Sequence, residues 1–110
     1  MKEVKAYIKN HKLDAVILAL HKIEDLPGMS VVDVRGCGHR HEETGHDQQM
    51  EELVHHAKVE IVCSDEQADR IVRAIKGAAH TGLHGDGKIY VSSVDRAIKI
   101  ETDEEGEQAV

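Results

Sequence analysis

A helical pattern breaks into glycines and re-emerges as a strand in the stretch Ala78-Ala79-His80-Thr81-Gly82-Leu83-His84-Gly85-Asp86-Gly87-Lys88-Ile89-Tyr90-Val91. Gly85 and Gly87 permit positive φ and leave backbone N–H groups uncovered, and Lys88 places a mobile cation beside them. This combination suits a phosphate or another anion. The loop ends a helix and begins a strand, whereas a Walker loop follows a strand and begins a helix. An ordinary tight turn is the alternative interpretation.

The composition narrows the class of protein. The chain has 110 residues, which predicts one domain that would gain from burying more surface in an oligomer. Because the formal net charge is -7 and Lys and Arg are not clustered, we expect no nucleic-acid binding. No apolar run approaches the roughly 20 residues that span a bilayer. The first residues enter a strand pattern without a signal-peptide region, so the sequence predicts a cytoplasmic protein.

The cysteine count predicts whether the thiols are free, and the scarcity of aromatic residues predicts the composition of the core. Cys37 and Cys63 are too few for a disulfide framework, and free thiols are expected in a reducing compartment. Phe and Trp are absent, and Tyr7 and Tyr90 are the only aromatic residues. The core must therefore be built from Val, Ile, Leu and Ala.

Hydrophobic spacing alternates between strand and helix periods along the chain. A Ser64–Gln67 capping box marks the start of the second helix. The predicted elements are strands over Glu3–Lys9, Met29–Arg35 and 59–63, helices over Leu13–Asp25 and 65–79, a fourth strand through Ile89 and Val91, and a short fifth strand at Ile98 and Ile100. Two β-α-β units predict a ferredoxin-like α/β (α+β) sandwich, βαββαβ, with one antiparallel sheet and both helices on one face.

Two segments do not fit this pattern. Residues 38–57 have little apolar content and are rich in His, Glu and Gln, with only a weak helical pattern at 50–54. We interpret them as a long arm, and loops of this length usually carry function. Residues 103–110 form an acidic tail, which we expect to be solvated and frayed.

Several short segments resemble the PII signal-transduction proteins in their order and spacing. They are Ile8-Lys9-Asn10-His11-Lys12-Leu13-Asp14, Gly28-Met29-Ser30-Val31, Val34-Arg35-Gly36-Cys37-Gly38, Lys58-Val59-Glu60-Ile61-Val62, Ala78-Ala79-His80-Thr81-Gly82 and Gly85-Asp86-Gly87-Lys88-Ile89. The resemblance covers nearly the whole chain apart from roughly residues 38–57. It implies a ferredoxin-like homotrimer that binds adenine nucleotides in clefts between subunits.

Carried over by position, the resemblance implies a set of nucleotide-binding residues. They are Ser30, Gly38, Val62, Gly85, Asp86, Gly87, Lys88 and Lys99. Where the family has a second basic residue in its last strand, this chain has Glu101. A like charge at that place weakens a triphosphate most, so we expect AMP or ADP, or weak ATP binding, with complete loss of nucleotide binding as the alternative.

The arm corresponds to the T-loop of the family and diverges from it. It has no tyrosine for nucleotidylation, and Arg40 and His56 replace residues that hold metal and 2-oxoglutarate in the family, which argues against 2-oxoglutarate sensing. A thiol beside closely spaced imidazoles suits zinc, copper or nickel. The candidate metal ligands are Cys37, His39, His41 and His46. Solvent-exposed polar loop residues are the alternative interpretation.

These observations lead to three hypotheses. The first is a PII-like regulator, not an enzyme, that reads an adenine nucleotide and controls a membrane transporter or efflux pump through the arm. The second is a transition-metal-binding sensor linked to heavy-metal efflux, because some PII-like proteins are associated with such pumps. The third is an enzyme acting on a small anion, which rests on the glycine loop alone, since no Ser-His-Asp or Cys-His constellation is recognisable.

Overall fold

The computed structural model describes residues 1–37, 39–40, 49–50 and 53–110. Within these residues, strands and helices follow one another in the order expected of two β-α-β units. They are β1 (Lys2–Lys9), a 3₁₀ turn (Asn10–Lys12), α1 (Leu13–His21), β2 (Met29–Gly36), β3 (His39–Arg40), β4 (Gln49–Met50), β5 (Val54–Cys63), α2 (Asp65–Ala79), β6 (Gly87–Ser93) and a 3₁₀ turn (Gly106–Ala109).

Four strands form one antiparallel sheet in the order β2-β5-β1-β6. The strands β2 and β6 are therefore the two edges, and β3 and β4 pair separately as a two-stranded ribbon. Both helices pack on one face of this sheet, so the predicted ferredoxin-like βαββαβ fold is confirmed.

The core lies between that face and the two helices, and it is aliphatic as the composition requires. Alternate residues of β1 and β5 point into it, which is the period-2 pattern of a half-buried strand. The buried residues are Val4, Ala6, Ile8, Val16, Leu20, Ala57, Val59, Ile61, Cys63, Ala68, Ile71, Ile75 and Ala79. Burying each larger aliphatic side chain contributes about 1.5–3 kcal/mol before the loss of conformational entropy.

The start of α2 confirms the predicted capping box. The Ser64 N–H donates to Gln67 Oε1 at 3.4 Å, which pairs a backbone donor that the helix itself cannot satisfy. The Gln67 amide also donates to the carbonyl oxygen of Asp25 at 2.9 Å. One side chain therefore caps α2 and holds the segment between α1 and β2 against it.

Helix α1 is shorter than the predicted span of Leu13–Asp25, because it ends at His21. Lys22 and Ile23 donate to carbonyls three residues back, at 3.3 and 3.0 Å, which tightens the last turn. Asp25 then takes a positive φ of 56°, which no helix tolerates. The tightened turn still leaves Ile23 packed against the core, which is why the apolar spacing extends past the helix end.

Strand β5 begins earlier than the predicted start at residue 59. It pairs with β2 from Val54 onward and with β1 from His56 onward, so His56 lies opposite Lys9 on one side and Val34 on the other. Backbone pairing on two sides fixes this segment as strand despite its polar side chains. The predicted arm is therefore shorter at its C-terminal end. The weak helical pattern at 50–54 lies partly outside the described residues; Met50 belongs to β4 and Val54 to β5.

The predicted fifth strand is also wrong, because a single bridge joins Ile98 to Glu105 and no strand forms there. The segment folds back on itself, and the Lys99 N–H donates to the Glu104 carbonyl at 2.9 Å. Because Ile98 and Ile100 are 49% and 96% exposed, their alternation does not report a buried face. The acidic tail ends in the 3₁₀ turn Gly106–Ala109, so it is not frayed as expected.

Both cysteines are free, as the composition predicted, with Cys37 exposed and Cys63 buried. Burial raises the pKa of the Cys63 thiol. None of the helices among the described residues has the length and apolar character to cross a bilayer.

Candidate functional site

The loop between α2 and β6 has the shape that its glycines predict. Gly82, Gly85 and Gly87 all have positive φ values, of 80°, 86° and 109°. A Cβ atom on Gly87 would lie 1.8 Å from the backbone oxygen of Tyr7, so only glycine fits where the loop meets β1. The backbone of the loop is therefore fixed by both conformation and close packing.

Asp86 is the centre of the hydrogen bonding in this loop. Its Oδ2 accepts the backbone N–H groups of Thr81 at 2.8 Å and Gly82 at 3.3 Å. Its Oδ1 accepts the Thr81 hydroxyl and lies 3.3 Å from the Lys9 ammonium. The imidazole Nδ1 of His80 lies 3.4 Å from Oδ2. The carboxylate thus joins the end of α2, the loop and the end of β1.

These contacts keep Asp86 ionised. The Thr81 hydroxyl and then the Thr81 N–H hold the pKa of the Asp86 carboxyl far below its usual range, with smaller support from Lys9 and Gly82. Partial burial acts in the opposite direction and is outweighed. Asp86 is therefore a permanent anion at physiological pH, and the neighbouring Lys9 ammonium offsets its charge.

Lys88 has a different environment from Lys9. It is exposed and lies opposite Tyr7 across the β1–β6 pair, on the face of the sheet away from the helices. Among the residues that the structure describes, no carboxylate or carbonyl binds its ammonium group. Lys88 is therefore the cation of this loop that is available to an anionic ligand.

The face of the sheet away from the helices, here called the open face, carries charged and aromatic side chains. The Lys58 ammonium lies 2.8 Å from Glu60 Oε1 and 5.9 Å from the centre of the Tyr7 ring. Their hydrogen bond raises the pKa of Lys58 and lowers that of Glu60. The rings of Tyr7 and Tyr90 meet edge to face, with centroids 6.1 Å apart. Among the described residues, Lys58 and Glu60 on the open face are therefore paired with each other, whereas Lys88 on the same face is not.

The sequence-predicted ligands Ser30 and Val62 also lie on the open face. Ser30 of β2 lies opposite Glu60 of β5, and Val62 of β5 lies opposite Glu3 of β1. Ser30 and Lys88 occupy opposite edge strands, separated by three inter-strand spacings of about 4.8 Å each, ~14 Å in total. One chain therefore gathers Gly85, Asp86, Gly87 and Lys88 in one loop and keeps Ser30 well away from them.

The remaining predicted ligands are less closely placed. Lys99 is exposed in the folded-back segment that follows β6. Gly38, His41 and His46 lie outside the described residues, and the structure describes only the backbone of His39, opposite Met50. Among the side chains that are described, no three His, Cys, Asp or Glu residues could hold a metal ion together. The metal site stays a prediction.

A shallow cavity of about 340 Å³ adjoins the loop on the helix side of β6. Ile8, Ile75 and Ile89 contribute to its apolar floor, and Lys76 and His80 line it as well. Sequence reasoning did not single out this cavity, nor the roles of Thr81 and Lys9. Thr81 had a local signature, a hydroxyl residue just before a glycine turn. Lys9 had none, since it is 72 residues from Thr81 in sequence.

Comparison with known proteins identifies the family. The family model for nitrogen regulatory protein P-II matches residues 1–104. The chain belongs to the nitrogen regulatory protein P-II family. Nitrogen regulatory protein P-II of Rhodobacter capsulatus is 44% identical over 113 aligned positions, with all of both chains covered. The proteins of the same name from Pasteurella multocida (strain Pm70) and Nostoc punctiforme are each 42% identical, again over the full length of both chains. The chain is thus a PII-like protein, as its sequence segments predicted.

Proposed function

We propose that this chain is a PII-like regulatory protein, not an enzyme, that binds an adenine nucleotide in clefts between the subunits of a homotrimer. It would control a target, such as a membrane transporter, through the arm between β2 and β5. The observation that carries the nucleotide site is the glycine loop, in which Lys88 is available while the charge of Asp86 is already matched by Lys9.

The charges of the loop favour an anionic ligand. A bare carboxylate two residues from Lys88 would repel a phosphate group. Here the Lys9 ammonium lies 3.3 Å from that carboxylate and offsets its charge. The loop therefore presents the cation of Lys88 and the backbone of Gly85 and Gly87 without a competing negative charge.

The placement of Ser30 supports a site between subunits. The serine and Lys88 lie on opposite edge strands of one chain, which are about 14 Å apart across the sheet. Two chains that meet edge to edge could bring the Ser30 edge of one copy toward the loop of the next. A homotrimer in which the open faces and the edges are buried would form three such clefts.

The segment after β6 bears on which nucleotide binds. Lys99 and Glu101 are both exposed there, so a cation and an anion are offered where two cations would serve a triphosphate best. We therefore propose AMP or ADP as the better ligand and ATP as the weaker one. Glu101→Arg should raise affinity for ATP about tenfold more than affinity for AMP.

The base of the arm supports its proposed role in target recognition. Arg35 lies opposite His55 and Gly36 opposite Val54, so both ends of the arm leave the sheet side by side on paired strands. A loop held this way can be presented to a partner from a rigid base. The transporter itself is proposed from the resemblance to PII-like proteins.

Calorimetry with AMP, ADP and ATP tests the nucleotide site. We expect Lys88→Ala to weaken binding by roughly tenfold or more, because it removes a charge-assisted contact to phosphate. Lys22→Ala removes the same charge from an exposed position at the end of α1 and should leave the affinity unchanged. Absence of heat for all three nucleotides, in protein whose trimer is confirmed by sedimentation, would refute the proposal.

A transition-metal sensor is the second candidate function. The exposed free thiol of Cys37, directly after β2, favours it, because a thiolate at the base of the His-rich arm suits zinc, copper or nickel. Metal analysis of the purified protein and of the His39→Ala and His41→Ala variants tests this candidate. Metal content that is unchanged in both variants would exclude these histidines as ligands.

A further inference from the structure

The Asp86 carboxylate is turned toward its own chain. It accepts hydrogen bonds from the Thr81 hydroxyl and two backbone N–H groups. It also lies within ion-pair distance of the Lys9 ammonium and the His80 ring. We infer that Asp86, Thr81 and Lys9 are positioning residues, which fix the glycine loop on the end of β1 and do not contact the ligand. The inference rests on the proposed function and changes the role that the sequence suggested for Asp86.

The acceptor positions of the Asp86 carboxylate are largely occupied by its own chain. An ionised carboxylate offers about four lone-pair directions. Thr81 and Lys9 take Oδ1, and the N–H groups of Thr81 and Gly82 take Oδ2, with His80 at the same oxygen. Little acceptor capacity is left for a ligand hydroxyl or for a metal ion that accompanies a nucleotide. Asp86 can therefore influence a bound nucleotide mainly through the loop.

The Thr81 hydroxyl acts both as a donor and as an acceptor in the loop. Its hydroxyl donates to Asp86 and its oxygen accepts the Leu83 N–H at 3.0 Å. One hydroxyl thus joins the two turns of the loop, around Gly82 on one side and Asp86 on the other. A side chain of the same shape without this oxygen would leave the Leu83 N–H and one carboxylate oxygen without these partners.

Lys9 attaches the glycine loop to the sheet. Lys9 is the last residue of β1, and its ammonium lies 3.3 Å from Asp86 Oδ1 and 3.5 Å from Thr81 Oγ1. Its side chain is 20% exposed, and its Cε would lie 3.8 Å from a Cβ built on Gly85. The lysine stem therefore runs beneath the loop and supports it, while Lys88 faces outward from the next strand. The two lysines have separate tasks.

The Asp86→Asn variant separates positioning from simple electrostatics. Removing a negative charge beside a phosphate site should by itself strengthen anion binding. The asparagine keeps the shape but loses one of the two acceptor oxygens, so the loop should lose its order. We therefore expect affinity for ADP to fall by roughly tenfold, the opposite sign. Asp69→Asn removes the same charge from an exposed position of α2 and should leave the affinity unchanged.

Amide hydrogen exchange without nucleotide measures the loop directly. The Gly82 and Leu83 amides should exchange at least about tenfold faster in Asp86→Asn and in Thr81→Val, because their acceptors are lost or displaced. Thr81→Ser keeps the hydroxyl and should restore both the protection and the ADP affinity. Lys9→Arg should likewise preserve most of the affinity that Lys9→Met loses. A purely structural role would lower the unfolding midpoint without these matched effects on binding.

The outcomes are distinct from those of the nucleotide proposal. Fast exchange in Thr81→Val, together with a wild-type protein that binds no nucleotide, would keep the positioning network and remove its proposed ligand. Unchanged exchange in Asp86→Asn would overturn the inference whatever the wild type binds. An ADP affinity that is equal or higher in Asp86→Asn would overturn it as well.

Discussion

Among the glycines that the structure describes, Gly87 has the least room for an added carbon atom. Its φ is 109°, and an added Cβ would lie 1.8 Å from the Tyr7 carbonyl oxygen, 2.9 Å from its carbon and 3.4 Å from the Ile8 Cα. All three neighbours are backbone atoms of β1, which is buried in the middle of the sheet. The start of β6 would have to move away from β1 in Gly87→Ala.

The cost follows from two terms. Forcing alanine to positive φ costs about 1–2 kcal/mol. Separating the strands loses the pairing of Ile8 with Gly87 and of Tyr7 with Lys88, for roughly 2 kcal/mol more at about 1 kcal/mol per hydrogen bond. We therefore expect Gly87→Ala to lower the free energy of unfolding by about 3–4 kcal/mol. Gly85→Ala should cost only the positive-φ contribution of about 1–2 kcal/mol, because its Cβ would meet just the Lys9 Cε, at 3.8 Å.

Urea unfolding at one fixed chain concentration measures both variants, since assembly would make the midpoint concentration-dependent. With a denaturant slope of about 1–2 kcal/mol/M, the midpoint of Gly87→Ala should fall by about 2 M. Gly77→Ala is the matched control, because nothing lies within 4 Å of its Cβ and alanine favours the helix interior. That variant should gain about 0.5–1 kcal/mol. If Gly87→Ala and Gly85→Ala unfold within about 1 kcal/mol of each other, the steric argument is wrong.

Three further predictions follow from the described contacts. In native protein a thiol reagent should modify Cys37 quickly and the buried Cys63 only after unfolding; two fast equivalents per chain would contradict this. Gln67→Ala should cost about 1 kcal/mol by urea unfolding, since it removes the cap of α2 and the bond to Asp25, whereas Glu66→Ala should cost less than half as much. The lowered pKa of Asp86 means that its stabilising contacts are present above the unfolded value of about 3.9 and are lost only as pH falls through the lower folded value. The ¹³C shift of the Asp86 carboxyl should therefore stay constant from pH 7 down to about 4, and a midpoint near 4 would refute the network.

The fold was predictable because each element of the core satisfies a local rule. The alternation in β1, the apolar stripe of α2 and the Ser64–Gln67 cap are periods and motifs of neighbouring residues, and all three are confirmed. The wrong secondary-structure predictions lie where pairing with a strand distant in sequence determines the local structure. His55 and His56 look like loop residues in sequence, yet β2 pairs with both of them and β1 pairs with His56, so the segment is strand. Ile98 and Ile100 show a strand period, but they find no strand to pair with among the described residues.

The candidate site shows the same division. The sequence predicts that Gly85 and Gly87 can adopt positive φ, because few other residues do so. The structure confirms positive φ at both and shows it at Gly82 as well. What Asp86 does could not be predicted locally, since a carboxylate beside two glycines and a lysine looks like part of a binding loop. Its partner Lys9 is distant in sequence, at the end of β1. The pairing of β1 with β6 brings the two side chains together.

The pairing of Asp86 with Lys9 also explains how an acidic residue can occupy a loop proposed to bind phosphate. Lys9 and Lys88 both lie near Asp86, and the geometry determines which of them offsets its charge. The Lys9 ammonium reaches the Asp86 carboxylate from the end of β1, whereas Lys88 lies opposite Tyr7 on the open face. If Lys9 were shortened, the Asp86 carboxylate would lose its ammonium partner and would repel a phosphate at the loop, and the loop would lose its support as well. A weaker ADP affinity in Lys9→Met would then arise although Lys9 itself touches no ligand, which is why the charge-conserving Lys9→Arg is the informative comparison.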